Sequence, residues 1–242
     1  MLKQKFIAVA ALAATMILGT QASTFAFGGK TKKQARFKVR IENISNKDGL
    51  AAADGSRYPF AVSPGVYLLS DNKVSLFKDG KKASEALEAQ AEDGNPELLA
   101  KKFLPIVSSV GLDIFNKPVG ADKPSPILPD GAFEFVFNAT EGMKLNLVAM
   151  YGQSNDLFYA PAQAIELFDK DGNALTGDIT GDFQLWDAGT EVNQAPGIGP
   201  DQAPRQKAPH TGARENGVVH LVKDGFSYPN TKDVLRVTIT AQ

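Results

Sequence analysis

The chain has 242 residues, no cysteine, and 26 Lys and Arg against 27 Asp and Glu, for a formal net charge of −1. That balance argues against a nucleic-acid partner, which a net basic face would signal. The missing cysteine removes disulfides, thiolate metal sites and a lipid-modified cysteine anchor. A chain this long can bury one core unaided, and all-β domains often reach about 200–250 residues, so one domain is expected.

The first residues read as an export address. Lys3 and Lys5 form a basic start, Phe6 to Leu18 is a short apolar run, and Thr24 with Ala26, or Thr20 with Ala22, supplies small residues for cleavage. The run is shorter than the roughly 20 residues that cross a bilayer, and no later segment comes near that length. The expected layout is a signal peptide over residues 1–26, a basic mature N-terminus over 27–35 and one domain over 36–242. The product is exported to the periplasm, the cell surface or the medium, with no membrane span. Gly29-Lys30-Thr31 mimics the end of a phosphate-binding loop, but Thr24 stands where that loop needs glycine and no strand precedes it.

Alternation then sets the pattern. In Ala35 to Ile44, Phe37, Val39 and Ile41 share one face while Lys38, Arg40 and Glu42 share the other. Ser84 is placed to cap a helix running to about Asp93, with Gly94 as its stop. A second helix begins with Asn95 as cap, Pro96 at the first helical position and Glu97 at the positive end of the dipole. Leu99 and Phe103 would face the core, and Pro105 ends the helix. Both helices are expected to plug an end or edge of the fold.

Residues 116–131 carry Pro118, Pro124, Pro126 and Pro129 and read as an extended connection. Phe133, Phe135 and Phe137 alternate with Glu134, Val136 and Asn138; Leu145, Leu147 and Ala149 alternate with Asn146 and Val148; Leu235, Val237 and Ile239 alternate with Arg236, Thr238 and Thr240. Period two with one apolar face marks antiparallel sheet, and several such segments between Gly/Pro turns predict a mainly β, two-sheet antiparallel sandwich with two short helices. Asp169-Lys170-Asp171-Gly172-Asn173 is read as a hairpin turn, because its glycine is fourth where a calcium loop of the helix-loop-helix type needs it sixth. Residues 192–214 carry Pro196, Pro200, Pro204 and Pro209, and so long an irregular stretch is either functional or a variable surface loop. His210 and His220 are the only histidines; with no cysteine they lack the partners of a zinc site, and His220 is expected on a strand. Asn43-Ile44-Ser45 and Asn138-Ala139-Thr140 are glycosylation-type triplets.

The stretch with most chemical content is Trp186-Asp187-Ala188-Gly189-Thr190-Glu191-Val192-Asn193, taken with Ser154-Asn155-Asp156-Leu157-Phe158. Asp187 and Glu191, with Ala-Gly between them, can curl around a hard cation, and Asp156 can add a third charged oxygen to the 6–8 that calcium takes. The same acids can instead cap their own turns or face water, as turn aspartates commonly do. Asp178 and Asp182 flank the region but look like ordinary turn residues, and Trp186 is suited to wedge the loop against the sandwich.

The order of several segments resembles the spondin domain. These are Phe37-Lys38-Val39-Arg40-Ile41-Glu42-Asn43, Phe60-Ala61-Val62-Ser63-Pro64-Gly65-Val66, Ala89-Gln90-Ala91-Glu92-Asp93-Gly94, Leu145-Asn146-Leu147-Val148-Ala149-Met150, Asn155-Asp156-Leu157-Phe158 and Asp187-Ala188-Gly189-Thr190-Glu191. Animal members close the last signature with Asp where this chain has Glu191. The resemblance implies a β-sandwich with calcium at one end, bound by Asp156, Asp187 and Glu191, in a non-enzymatic module for cell-surface or matrix-type attachment to an extracellular protein or glycan. A different class of function, a secreted glycosidase-like hydrolase, would use Asp187 and Glu191 as its paired carboxylates.

Overall fold

The computed structural model describes residues 31–71, 73–107 and 111–242, so the expected signal peptide and Gly29-Lys30 lie outside the described residues. Its strands are β1 Gln34–Asn43, β2 Leu50–Ala51, β3 Arg57–Tyr58, β4 Val62–Ser70, β5 Leu112–Phe115, β6 Ala132–Thr140, β7 Lys144–Tyr151, β8 Leu157–Pro161, β9 Ile165–Glu166, β10 Gly177–Asp178, β11 Phe183–Asp187, β12 His220–Leu221 and β13 Leu235–Ala241. Its helices are α1 Glu85–Asp93, α2 Glu97–Phe103 and a short α3 Thr231–Val234, the last not expected from the sequence. The protein is mainly β, with antiparallel sheets packed on each other as the alternation predicts. One large sheet has the order β10-β13-β1-β6; the other runs β12-β11-β8-β7-β4-β5, with β9 also paired to β7, and β2 and β3 form a separate two-stranded pair.

The two sheets differ in what their outer faces carry. In the smaller sheet, Phe37, Val39 and Ile41 of β1, Phe133 and Phe137 of β6, and Val237 and Ile239 of β13 point inward. They meet Tyr67 and Leu69 of β4, Leu145, Leu147 and Tyr151 of β7, and Leu157 and Tyr159 of β8. Its outer face carries charge: Arg236 pairs with Glu42 at 2.7 Å and Arg40 with Glu134 at 3.4 Å. Such solvated pairs contribute little energy, but they mark the face that meets water.

The larger sheet is apolar on both faces. Val66 and Leu68 of β4, Val148 of β7, Phe158 and Ala160 of β8, and Trp186 of β11 point away from the first core. They pack on Leu87 and Ala91 of α1 and on Leu99 and Phe103 of α2. The helices therefore lie on the outer face of the larger sheet instead of plugging an end or edge. A sheet that is apolar on both faces must be covered twice, and Val148, grouped by alternation with polar Asn146, belongs to that second buried row.

The helix ends follow local chemistry. The Ser84 hydroxyl accepts a hydrogen bond from Leu87 N at 3.3 Å. Gly94 ends α1 in the left-handed region, with φ of 65°, where a side chain would also meet Ser63. The Asn95 side-chain oxygen Oδ1 accepts from Glu97 N at 3.1 Å, just before α2, whose cap is Pro96 and not Asn95 as expected. One motif is closed by the fold: Asn43 is buried, and its side-chain amide donates to Phe60 O and Ile127 O. The Asn43 triplet is thus inaccessible once the chain is folded, whereas Asn138 is exposed.

Because Leu99 is fully buried between α2 and the sheet, Leu99→Ala should cost about 2–5 kcal/mol in urea unfolding. Exposed Lys101→Ala should change stability by less than about 0.5 kcal/mol.

Candidate metal centre

β8 and β11 are antiparallel neighbours, with Asp187 opposite Leu157 and Trp186 opposite Phe158. This register brings Asp156, one residue before β8, to the same end of the sheet as Asp187, the last residue of β11. The chain then turns at Gly189, whose φ of 67° suits glycine and whose Cβ, if present, would lie 2.6 Å from Val218 O. Through that turn the backbone is aimed at Asp156. Thr190 N, the Thr190 hydroxyl and Glu191 N all donate to Asp156 Oδ2, at 2.7, 3.0 and 3.1 Å.

Asp187 is held as tightly. Its Oδ1 accepts from Gly189 N at 2.7 Å and its Oδ2 from Asn193 Nδ2 at 2.6 Å. Asp156 Oδ1, by contrast, is fully enclosed and has no hydrogen-bond partner among the described residues. Oxygens of Asp156, Asp187 and Glu215 lie within 4.8 Å of one another, the first two residues buried and the third exposed.

Glu215 was not legible as part of this group. It arrives because the segment after the long irregular loop pairs back onto the Gly189 turn. Val192 N donates to Ala213 O, Glu215 N to Thr190 O and Gly217 N to Gly189 O, at 2.7, 3.0 and 2.7 Å. Glu191, expected to share the ion, goes elsewhere. Its carboxylate accepts from Asn155 Nδ2 at 3.3 Å and from Gly212 N at 2.9 Å. The same turn that presents the Glu191 amide to Asp156 sends its side chain to Asn155 and Gly212. Of the three acids expected together, the structure brings together Asp156 and Asp187.

The remaining expectations nearby sort simply. Asp178 Oδ1 accepts from Thr180 N at 2.8 Å, as a turn residue does, and neither Asp178 nor Asp182 joins the cluster. The Asp169 carboxylate accepts from Asp171 N and Asn173 N, closing a hairpin turn. Trp186 is buried against Phe77, with ring centroids 5.0 Å apart, and its indole N–H donates to Ala160 O. His220 lies on β12 directly opposite Asp187.

Like charge in a dry place dominates the electrostatics. Burial and then the Asp187 charge push the Asp156 carboxyl up to about 7, against the pull of its Thr190 and Glu191 donors. Burial also raises Asp187, with the Gly189 amide and the His220 charge pulling it back. Glu215 is raised by burial and by Asp187. Among the described residues, no Lys or Arg forms an ion pair with any of the three. Two adjacent buried carboxylates without a basic partner can stay charged only with a cation, or else hold a proton.

No family model matches this chain, and no curated protein matches it.

The raised carboxyls set a pH dependence. Asp156 carries a folded-state value of about 7, above an unfolded value of about 3.9, so its contribution is full in acid and lost as pH rises through the folded value. In the presence of a chelator, the thermal midpoint should fall from about pH 4 to about pH 8, and Asp156→Asn should flatten that fall, as read by scanning calorimetry.

Proposed function

We propose that this protein is an exported, non-enzymatic calcium-binding β-sandwich module that attaches to an extracellular protein or glycan. The carrying observation is Asp156 Oδ1, a fully enclosed carboxylate oxygen with no hydrogen-bond partner among the described residues, beside Asp187 and Glu215. A buried charged oxygen left unpaired is costly, and a divalent cation is the partner that would relieve all three acids at once. The donors are all oxygens, which suits a hard ion such as calcium. Each Asp187 oxygen accepts a single hydrogen bond and so retains a lone pair for a metal.

Asp156, Asp187 and Glu215 would hold the ion. It would fasten three segments to one end of the sandwich: the Asn155-Asp156 turn, the Asp187–Asn193 turn and the returning Ala213–Gly217 stretch. Val192, Val218 and Leu221, which adjoin these segments in the chain, are exposed, as a contact surface requires. Extracellular calcium modules work at dissociation constants of about 10⁻⁴–10⁻³ M, within reach of a partly exposed three-carboxylate site. The two acids of the glycosidase-like alternative are held by different partners, Gly189 and Asn193 for Asp187, Asn155 and Gly212 for Glu191.

Thermal unfolding with calcium and with chelator tests the reading. Calcium at about 100 times its dissociation constant should add about 2.7 kcal/mol. Asp156→Asn with Asp187→Asn should abolish the gain, Glu215→Gln should reduce it, and Glu191→Gln should retain it. A midpoint indifferent to calcium overturns the proposal.

A further inference from the structure

The segment Val192–Arg214 contains neither helix nor strand, yet it is closed at its base by the Val192–Ala213 hydrogen bond and by the bridge between Glu191 and Arg214. Its first half is knitted to itself and to the sandwich. The Gln202 amide donates to Gln194 O and Ala195 O, and Arg205 donates to Gly199 O and Gln153 Oε1. Its second half meets α1 through charged and polar groups: the Gln206 amide donates to Asp93 Oδ1 at 2.8 Å, and Arg214 to Glu88 Oε1 at 3.0 Å.

Between those two contacts sits His210, with its backbone in the left-handed region at φ of 57°. Both ring nitrogens face carboxylates of α1. Nδ1 lies 2.5 Å from Glu92 Oε2 and 3.6 Å from Glu88 Oε1, and Nε2 lies 3.6 Å from Asp93 Oδ2. A neutral imidazole offers one donor and one acceptor, so one of its nitrogens would turn a lone pair toward an anion. The imidazolium offers two donors, one to each side, whereas the neutral ring meets both sides only when the Glu92 carboxyl, itself raised by burial, holds the proton instead. Glu92 is 2 % exposed and meets the His210 ring beneath the closed strap.

We propose that His210 is the catch of a pH-responsive strap: protonated, it holds Val192–Arg214 closed on α1, and loss of its proton releases it. The groups that face the catch are Glu88, Glu92 and Asp93 from α1 and Arg214 from the strap itself, with Glu191 from the neighbouring turn adding negative charge beside Glu92. Burial lowers the imidazole, but the Glu92 hydrogen bond and the charges of Glu92, Asp93 and Glu88 together hold it above its ordinary value. A group raised on closing contributes fully below its ordinary value of about 6.5 and is lost as pH rises through the raised one. Closure therefore belongs to acid and neutral conditions, and release to alkaline ones. Release uncovers Glu92 and Glu191, both buried under the closed strap. The catch uses none of the acids proposed to hold calcium and stands independently of that ion.

Amide hydrogen exchange on the full chain, corrected for intrinsic exchange rates, reads the strap directly. The Gly212 amide, which donates to Glu191 Oε1 beneath the strap, should lose protection by up to about tenfold for each pH unit between the ordinary histidine value of about 6.5 and the raised one, and level off above it. The β4 and β7 amides should hold theirs and so report that the sandwich stays folded. His210→Gln should leave the strap weakly protected at every pH, and His210→Lys should keep it protected throughout. Should His210→Gln fail to fold, Glu92→Gln should move the wild-type step to lower pH. Strap protection that ignores pH in the wild type, a step that persists in His210→Gln, or one that stays in place in Glu92→Gln overturns the proposal.

Discussion

The end of the sandwich that carries the candidate site is organised around a single buried carboxylate. Asp156 Oδ2 gathers two backbone amides and a hydroxyl from the turn after β11, and charge-assisted bonds of this kind are shorter and stronger than neutral ones. The turn is therefore folded onto an anion. Gly189 permits the bend, Asn193 and Asp187 brace it, and the returning Ala213–Gly217 segment closes over it. What remains is the other oxygen of the same carboxylate, enclosed and without a hydrogen-bond partner among the described residues. One side of this buried carboxyl is satisfied three times and the other is bare, a place for either a proton or a cation.

The contrast between the two sheets puts the second acidic group where it is. The smaller sheet turns Lys, Arg and Glu to water and needs no cover. The larger sheet has apolar residues on both faces, so α1 and α2 lie against it. That packing carries Glu88, Glu92 and Asp93 to the end of the molecule from which the long strap departs. Glu92 and Glu191 lie near enough for each to feel the other's charge. Two acidic neighbourhoods thus share the same connection, one at its root and one along its length, and they are balanced differently: one has arginine and histidine partners, the other has no Lys or Arg among the described residues.

Much of the scaffold was legible because it rests on local periodicity. Phe37-Val39-Ile41 and Val237-Ile239 lie in strands with their apolar side chains inward, and Ser84 and Gly94 mark the ends of α1 they were expected to mark, while α2 starts one residue later than expected, with Pro96 and not Asn95 at its cap. The position of the helices was less legible, because Val66, Leu68 and Val148 mark a second buried face only once the opposite face of their sheet is seen to be covered. Asn43 shows the same limit: its triplet is a surface motif on paper and a buried bridge between Phe60 and Ile127 in the fold.

Within the candidate site, the sequence by itself determined that Asp156 and Asp187 sit beside tight turns, since glycine, asparagine and strand alternation act over a few residues. Only the tertiary structure decided which acids meet. Glu215 reaches Asp187 through a backbone pairing that spans the whole strap, and Glu191, four residues from Asp187, is sent to Gly212 by the turn between them. His210 became meaningful in the same way, through carboxylates on a helix more than a hundred residues earlier. Periodicity and capping depend on neighbours along the chain, whereas the burial of charge depends on neighbours in space, and those are set by which sheet face had to be kept from water.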